Sequence, residues 1–212
     1  MSTYVNLPVT CSVCGTESRQ RILTSTNSFG APDLDLRPAG MQRATMDRWV
    51  QECPHCGYVA FRLNKPAPVT GEWLQGELYT GCDGRKLASN LAERFFRLYL
   101  IAGEAGNHRD AYLAALYGAW ACDDSEDTEN AAFCRRAAID ALDEHIMADG
   151  EKESVMVQRA DLMRRAGLFD ELLRQYATIR LSEDYLNKLL DFELEKAAQR
   201  DDRCYTLEDV SL

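Results

Sequence analysis

Two pairs of cysteines share one local pattern in this chain, Cys11-Ser-Val-Cys14-Gly15 and Cys53-Pro-His-Cys56-Gly57. A C-x2-C spacing turns the backbone back on itself, so both sulfurs can face one ion while nearby N–H groups point at them. A glycine directly after the second cysteine supplies the positive φ that such a knuckle needs. Two knuckles give four thiolates, the ligand set of a closed tetrahedral zinc site with no coordination position left for a substrate. Cys11, Cys14, Cys53 and Cys56 are therefore the predicted metal ligands, and one structural Zn2+ the predicted cofactor. Residues 15–52 separate the pairs, more than the roughly 15–20 residues usual in such sites. A stretch rich in Ser, Asn, Gly, Pro and Asp from Thr26 to Gly40 reads as a long loop and accounts for the excess. His55 lies inside the second knuckle, where four thiolates leave it nothing to coordinate, and is expected on an exposed turn.

The loop itself holds the next candidate, Gly30-Ala-Pro-Asp33-Leu-Asp35-Leu-Arg37-Pro-Ala-Gly40. In an extended chain Asp33 and Asp35 point to one side, and Leu34 and Leu36 to the other. Two carboxylates with Arg37 or Arg43 form a polar site for a peptide terminus or a hydrated divalent cation, and the possible centre of an enzyme. The alternative is that the carboxylates cap turns or pair with those arginines and so order the loop, the usual role of Asp beside Pro and Gly. No catalytic residue is assigned. Cys122 and Cys134 fall on apolar helix faces and are expected to be buried thiols acting as small hydrophobes. Cys82 and Cys204 have no partner spacing, and His108 and His145 no Cys, Ser or carboxylate at motif spacing. Neither G-x-S-x-G, H-E-x-x-H nor a phosphate-binding glycine loop occurs.

These residues need elements to hold them. From Tyr4 to about Leu63, short runs rich in β-branched and aromatic residues flank both knuckles and predict strands, from Tyr4 and Glu17 around the first, and over Arg48–Glu52 and Tyr58–Leu63 around the second. Asn64-Lys-Pro-Ala-Pro-Val-Thr-Gly71 then breaks both helix and sheet. Beyond it the period becomes helical. Leu87, Leu91, Phe95, Leu98 and Ala102 share one face, and Asn107 with Asp110 predicts the start of a second helix through Tyr112, Ala115, Leu116, Ala119 and Trp120. A third helix is expected from about Thr128 to Ala148, a fourth through Met156, Ala160 and Met163, and a fifth through Phe169, Leu172, Tyr176 and Ile179. A sixth opens at Ser182. The large–small alternation from Met156 through Ala160, Gly167 and Tyr176 to Ile179 has the spacing of a tetratricopeptide repeat. The predicted fold class is α+β, mostly α: a zinc ribbon over 1–66, an antiparallel helical-repeat domain over 67–200, and an extended or mobile tail over 201–212.

At this point the chain resembles an uncharacterised bacterial family that joins a zinc ribbon of C-P-x-C-G knuckles to tetratricopeptide-like helices. The matching residues are Cys11-Ser-Val-Cys-Gly, Trp49-Val-Gln-Glu-Cys-Pro-His-Cys-Gly-Tyr-Val-Ala-Phe61 and the repeat from Met156 to Ile179. Ser12 stands where proline is common in the first knuckle. The resemblance implies a fold and a metal, and no activity.

The 212 residues carry a net charge of −10. Residues 1–66 hold seven basic and five acidic groups, about +2, which leaves about −12 for the rest. An acidic body repels phosphate backbones, so nucleic acid is a disfavoured partner. A regulator that contacts RNA or DNA through Arg19, Arg21, Arg43 and Arg48 of the ribbon is the alternative. The lack of a long apolar run argues against a membrane span. C-x2-C pairs, with an N-terminus unlike a signal peptide, point to the reducing cytoplasm. The expected function is a zinc-binding protein-interaction or adaptor module, more binder than enzyme. Its partner would be a neutral or basic protein or peptide on a concave helical face that exposes Arg109, Tyr117, Arg159 and Arg164.

Overall fold

Strands form where the sequence alternates. In the computed structural model, which describes residues 1–149 and 152–210, Thr3–Thr10 (β1) pairs antiparallel with Glu17–Ser25 (β2). The Val5↔Ile22 and Tyr4↔Leu23 pairs occupy opposite faces of this hairpin, and Arg21 lies 4.2 Å from the centre of the Tyr4 ring. The second knuckle is flanked by a much shorter pair, Gln51–Glu52 (β3) and Val59–Ala60 (β4). Between the hairpins lie the loop, a one-turn helix at Gly40–Arg43 (α1) and a 3-10 turn at Met46–Arg48, where Arg48 was expected to begin a strand.

After the short helix Glu77–Thr80 (α2), the chain is helical: Asn90–Glu104 (α3), His108–Asp124 (α4), Thr128–Asp149 (α5), Glu153–Arg165 (α6), Phe169–Tyr176 (α7) and Asp184–Ala198 (α8). The molecule is thus mostly helical with a small antiparallel β part at its N-terminal end. Side chains cap three of the starts, among them that of α5, where Asp127 Oδ1 accepts the Asn130 N–H at 3.3 Å. Ser89 Oγ accepts the Ala92 N–H at 3.2 Å, and Asn107 Oδ1 accepts the Asp110 N–H at 3.1 Å. Ser182 was expected to open the last helix, but its hydroxyl and N–H bond the Glu153 carboxylate, and α8 starts two residues later.

Helices α4 and α5 approach closely because small residues line their contact. A Cβ at Gly118 would lie 3.5 Å from Cys134 Sγ, and Ala114, Ala115, Ala119, Cys122, Ala131 and Ala138 are all buried. Cys122 and Cys134 are indeed buried thiols. In the segment with repeat-like spacing, Ala160, Met163, Leu172 and Tyr176 are buried, and Gly167, at φ +74°, makes the turn between α6 and α7. No described helix is long and apolar enough to cross a membrane.

Two arginines expected on an exposed face are not there. Arg159 reaches Asp143 at 2.6 Å, Gln175 and the Tyr176 hydroxyl. Arg164 is fully buried, where it donates to Asp161 at 2.7 Å, Glu193 at 2.5 Å and the backbone carbonyls of Asp201 and Arg203. The amphipathic pattern misled because a guanidinium on the buried face satisfies its five donors internally. The same bonds tether the C-terminal segment, which the sequence suggested was extended or mobile and which pairs through its backbone with the loop. Leu34 N–H donates to Tyr205 O at 2.9 Å and Leu207 N–H to Pro32 O, with a bridge between Asp33 and Thr206.

One arginine serves two buried carboxylates in this cluster. Burial, reinforced by the neighbouring Asp161 and opposed by Arg164, pushes the Glu193 carboxyl up to about 8. Burial and the Asp35 charge also raise Asp161. A carboxyl whose pKa is higher in the folded state holds its proton there after the unfolded chain has lost it. Stability from Glu193 is therefore full below its unfolded value of 4.5 and lost as pH rises towards about 8, at about 1.4 kcal/mol per pH unit. Glu193→Gln mimics the protonated form. Urea unfolding at pH 5 and pH 8.5 is expected to show the variant gaining stability relative to the parent as pH rises; a constant difference between the two proteins would contradict a protonated Glu193.

Candidate functional site

Each knuckle folds the same way. The Gly15 N–H donates to Cys11 O and the Gly57 N–H to Cys53 O, both at 2.9 Å, with φ of +70° and +73° at the two glycines. The Cys11 and Cys53 N–H groups close the loops onto Thr16 O and Tyr58 O. These turns bring together the four cysteines predicted as ligands. All four sulfurs lie within 4.8 Å of one another, with Cys11–Cys56 and Cys14–Cys53 each at 3.7 Å. A tetrahedron of sulfurs around an ion with bonds of about 2.3 Å has edges of about 3.8 Å, so the cluster has the size and donor chemistry to hold one metal ion. The Thr16 hydroxyl and N–H pull the Cys14 thiol down to about 5, which favours the thiolate. Burial pushes the Cys11 and Cys56 thiols up, the behaviour of sulfurs that need a cation to carry their charge. His55 is exposed on its turn, and no disulfide joins any of the eight cysteines.

The metal cluster is seated by its surroundings. Ser12 N–H donates to Leu63 O, and Leu63 N–H donates to the buried Gln51 side chain. The Tyr79 hydroxyl donates to Gly57 O at 2.5 Å, fixing the second knuckle to α2. Trp49 packs edge-on against Tyr117 of α4, with ring centres 5.1 Å apart.

Asp33 and Asp35 do not sit on an extended strand. Asp33 N–H bonds Arg37 O, and Leu36 N–H bonds Asp33 O, closing a turn in which Leu36 takes φ +65° and faces solvent. Both carboxylates are buried, at 2 % exposure each. Arg43 reaches Asp33 at 2.5 Å, and Arg37 reaches Asp124 of α4 at 2.5 Å. Asp35 accepts from Trp120 Nε1 at 2.7 Å and from Arg165 of α6 at 3.0 Å. Arg165 and Arg135 also share Asp123; burial disfavours that charge, but the two guanidiniums outweigh it and hold the carboxyl below its ordinary range. The carboxylates thus order the loop, as one of the two readings had it. Arg43 was the right partner for Asp33, whereas Asp123, Arg135 and Arg165 were missed because their spacing from the loop carries no local signal. Of the four arginines of the nucleic-acid alternative, Arg43 and Arg48 are ion-paired, to Asp33 and Asp47, while Arg19 and Arg21 are exposed on β2.

Removing one member of a buried ion pair leaves the other charge unpaired at a cost of roughly 3–5 kcal/mol. Asp35→Ala is expected to lower unfolding stability by about that amount while the metal content stays unchanged, since the side chains that bond the carboxylate are Trp120 and Arg165 and not the knuckle cysteines. Urea titration with metal analysis checks both halves; a loss under about 1 kcal/mol would mean that Arg165 does not depend on Asp35. No family model, no curated protein and no solved structure matches this chain.

Proposed function

We propose that this chain is a zinc-stabilised binding protein of the reducing cytoplasm, whose metal is structural and whose helical part serves protein or peptide partners. The observation that carries the reading is the closed set of four sulfurs, whose 3.7 Å separations match a tetrahedral ion with no coordination position free for a substrate. Zinc suits such a site because four thiolates favour it and it brings no redox chemistry. The loop carboxylates support a non-catalytic reading, since arginines and an indole already engage them. The tetratricopeptide-like packing of Ala160, Gly167, Phe169 and Tyr176, and membership of the bacterial family that joins such helices to a zinc ribbon, are part of the same proposal. So is partner binding on the helices, whose consecutive pairs offer a continuous surface when they stack.

Two measurements test it. Elemental analysis of the purified protein is expected to give one zinc per chain. Structural zinc contributes roughly 10–16 kcal/mol of folding free energy in zinc-finger peptides, so Cys53→Ser or chelation should unfold residues 1–66 and leave most of the helical circular dichroism. Protein without stoichiometric zinc would refute the metal assignment. Crosslinking of captured partners should then map to α3–α8; crosslinks confined to the knuckles, or capture of nucleic acid alone, would move the function to the ribbon.

A further inference from the structure

A groove runs along the seam between the chain leaving the second knuckle and helices α3 and α4. It consists of two adjoining cavities. One, of about 280 Å3, is walled by Tyr58, Pro66, Leu98 and Ile101; the other, of about 250 Å3, is walled by Trp49, Leu113 and Tyr117. Phe61 and Asp110 line both, so the two are neighbours along the seam. The rings inside pack against each other edge-on, Trp49 and Phe61 standing 5.1 and 6.3 Å from Tyr117. The walls are therefore apolar and largely pre-formed, the usual character of a binding groove.

The rim has the opposite charge to the rest of the molecule. Arg62 and Lys65 edge the first cavity, and Arg109 edges the second. Arg62 and Lys65 are exposed, and their side chains make no ion pair among the described residues. Arg109 approaches Asp110 only to 4.0 Å and its side chain stays 69 % exposed. Asp110 is the one carboxylate in the groove, and Asn107 Nδ2 already donates to it at 3.0 Å in the cap of α4. Three solvated cations around an apolar slot, in a chain of net charge −10, form a local field that attracts anions.

We propose that this groove binds an extended polypeptide segment whose apolar side chains are flanked by Asp or Glu. The inference rests on the binding-module reading and supplies its site and partner chemistry. Alternate side chains of an extended peptide fill neighbouring apolar cavities, and carboxylates beside them meet Arg62, Lys65 and Arg109. Complementary charge of this kind speeds encounter and excludes basic competitors. Single-stranded nucleic acid fits less well. It needs a cationic track for its backbone and free ring faces for its bases, and here the rings are edge-packed and the cations few.

The test is selection from a displayed library of random dodecapeptides on the full-length, zinc-loaded protein. Enriched sequences are expected to pair aromatic or aliphatic residues with Asp or Glu. Fluorescein-labelled synthetic copies should bind at least tenfold more weakly to the combined Arg62→Glu, Lys65→Glu and Arg109→Glu protein. They should weaken similarly with Ala105→Trp, which fills the first cavity from an exposed position and changes no charge. Both variants keep zinc content and circular dichroism as controls. Enriched peptides that bind both variants as tightly as the parent would overturn the groove and leave a binding module with its site elsewhere. No enrichment at all would overturn both readings. A labelled 12-mer oligouridylate that binds the groove more tightly than the selected peptides would overturn the peptide assignment in favour of RNA.

Discussion

A carboxylate taken out of water must find its hydrogen bonds and its counter-charge inside the protein, and few features of this molecule are independent of how Asp35 does so. Its partners are the Trp120 indole on α4 and Arg165 at the end of α6. Arg165 in turn shares Asp123 with Arg135 of α5. One loop residue thereby fixes the relation of three helices to the chain between the two knuckles. Leaving any member unpaired in the interior costs far more than an exposed ion pair contributes. The loop position and the placing of α4 and α6 against it are therefore coupled.

The cluster of four cysteines and this charge network divide the ordering of the N-terminal region. The sulfurs fix the two knuckles, which are short and have little core of their own. Between them, ordering residues 15–52 costs roughly 1–2 kcal/mol of backbone entropy for each residue fixed. Asp33, Asp35, Arg37 and Arg43 offset that loss by attaching the segment to the helices. The C-terminal segment completes the attachment. Arg164 holds it through the Asp201 and Arg203 carbonyls, and its own backbone then pairs with Leu34 and Leu207 meets Pro32.

What could be read in the sequence was what has a local signature. C-x2-C-G encodes a turn, a positive φ and a sulfur pair within five residues, and the four cysteines do meet. Helix periodicity placed α3 to α8 to within a few residues, since apolar spacing and caps such as Asn107 act over one or two turns. The second hairpin was overestimated, because its strand-like residues around Arg48 and Phe61 are recruited to pack on Tyr117 and α4 instead of lengthening a ladder. Arg159 and Arg164 were misplaced for a related reason. Spacing says which face of a helix is inward but not that an inward arginine will meet Asp161, Glu193 and two carbonyls from a segment dozens of residues away. Tertiary partners of buried charges have no local code.

Burial also changes what net charge means. The acidic balance beyond residue 66 suggested a neutral or basic partner, but a sum over the sequence does not say where charge sits on the surface. Asp161 and Glu193 are fully buried beside Arg164, and Asp123 is flanked by Arg135 and Arg165. Such groups contribute little to the field that an approaching molecule meets, whereas Arg62, Lys65 and Arg109 contribute in full because they remain in water beside low-dielectric apolar walls. The seam between the second knuckle and the first helices, with three cations to one carboxylate, is thus more positive than the net charge of the chain suggests. Its apolar walls exist only because the knuckle, the loop and α4 are locked in one arrangement. The buried charges that build the scaffold are therefore separate from the solvated ones at the rim of the groove, and it is the latter that an approaching molecule meets.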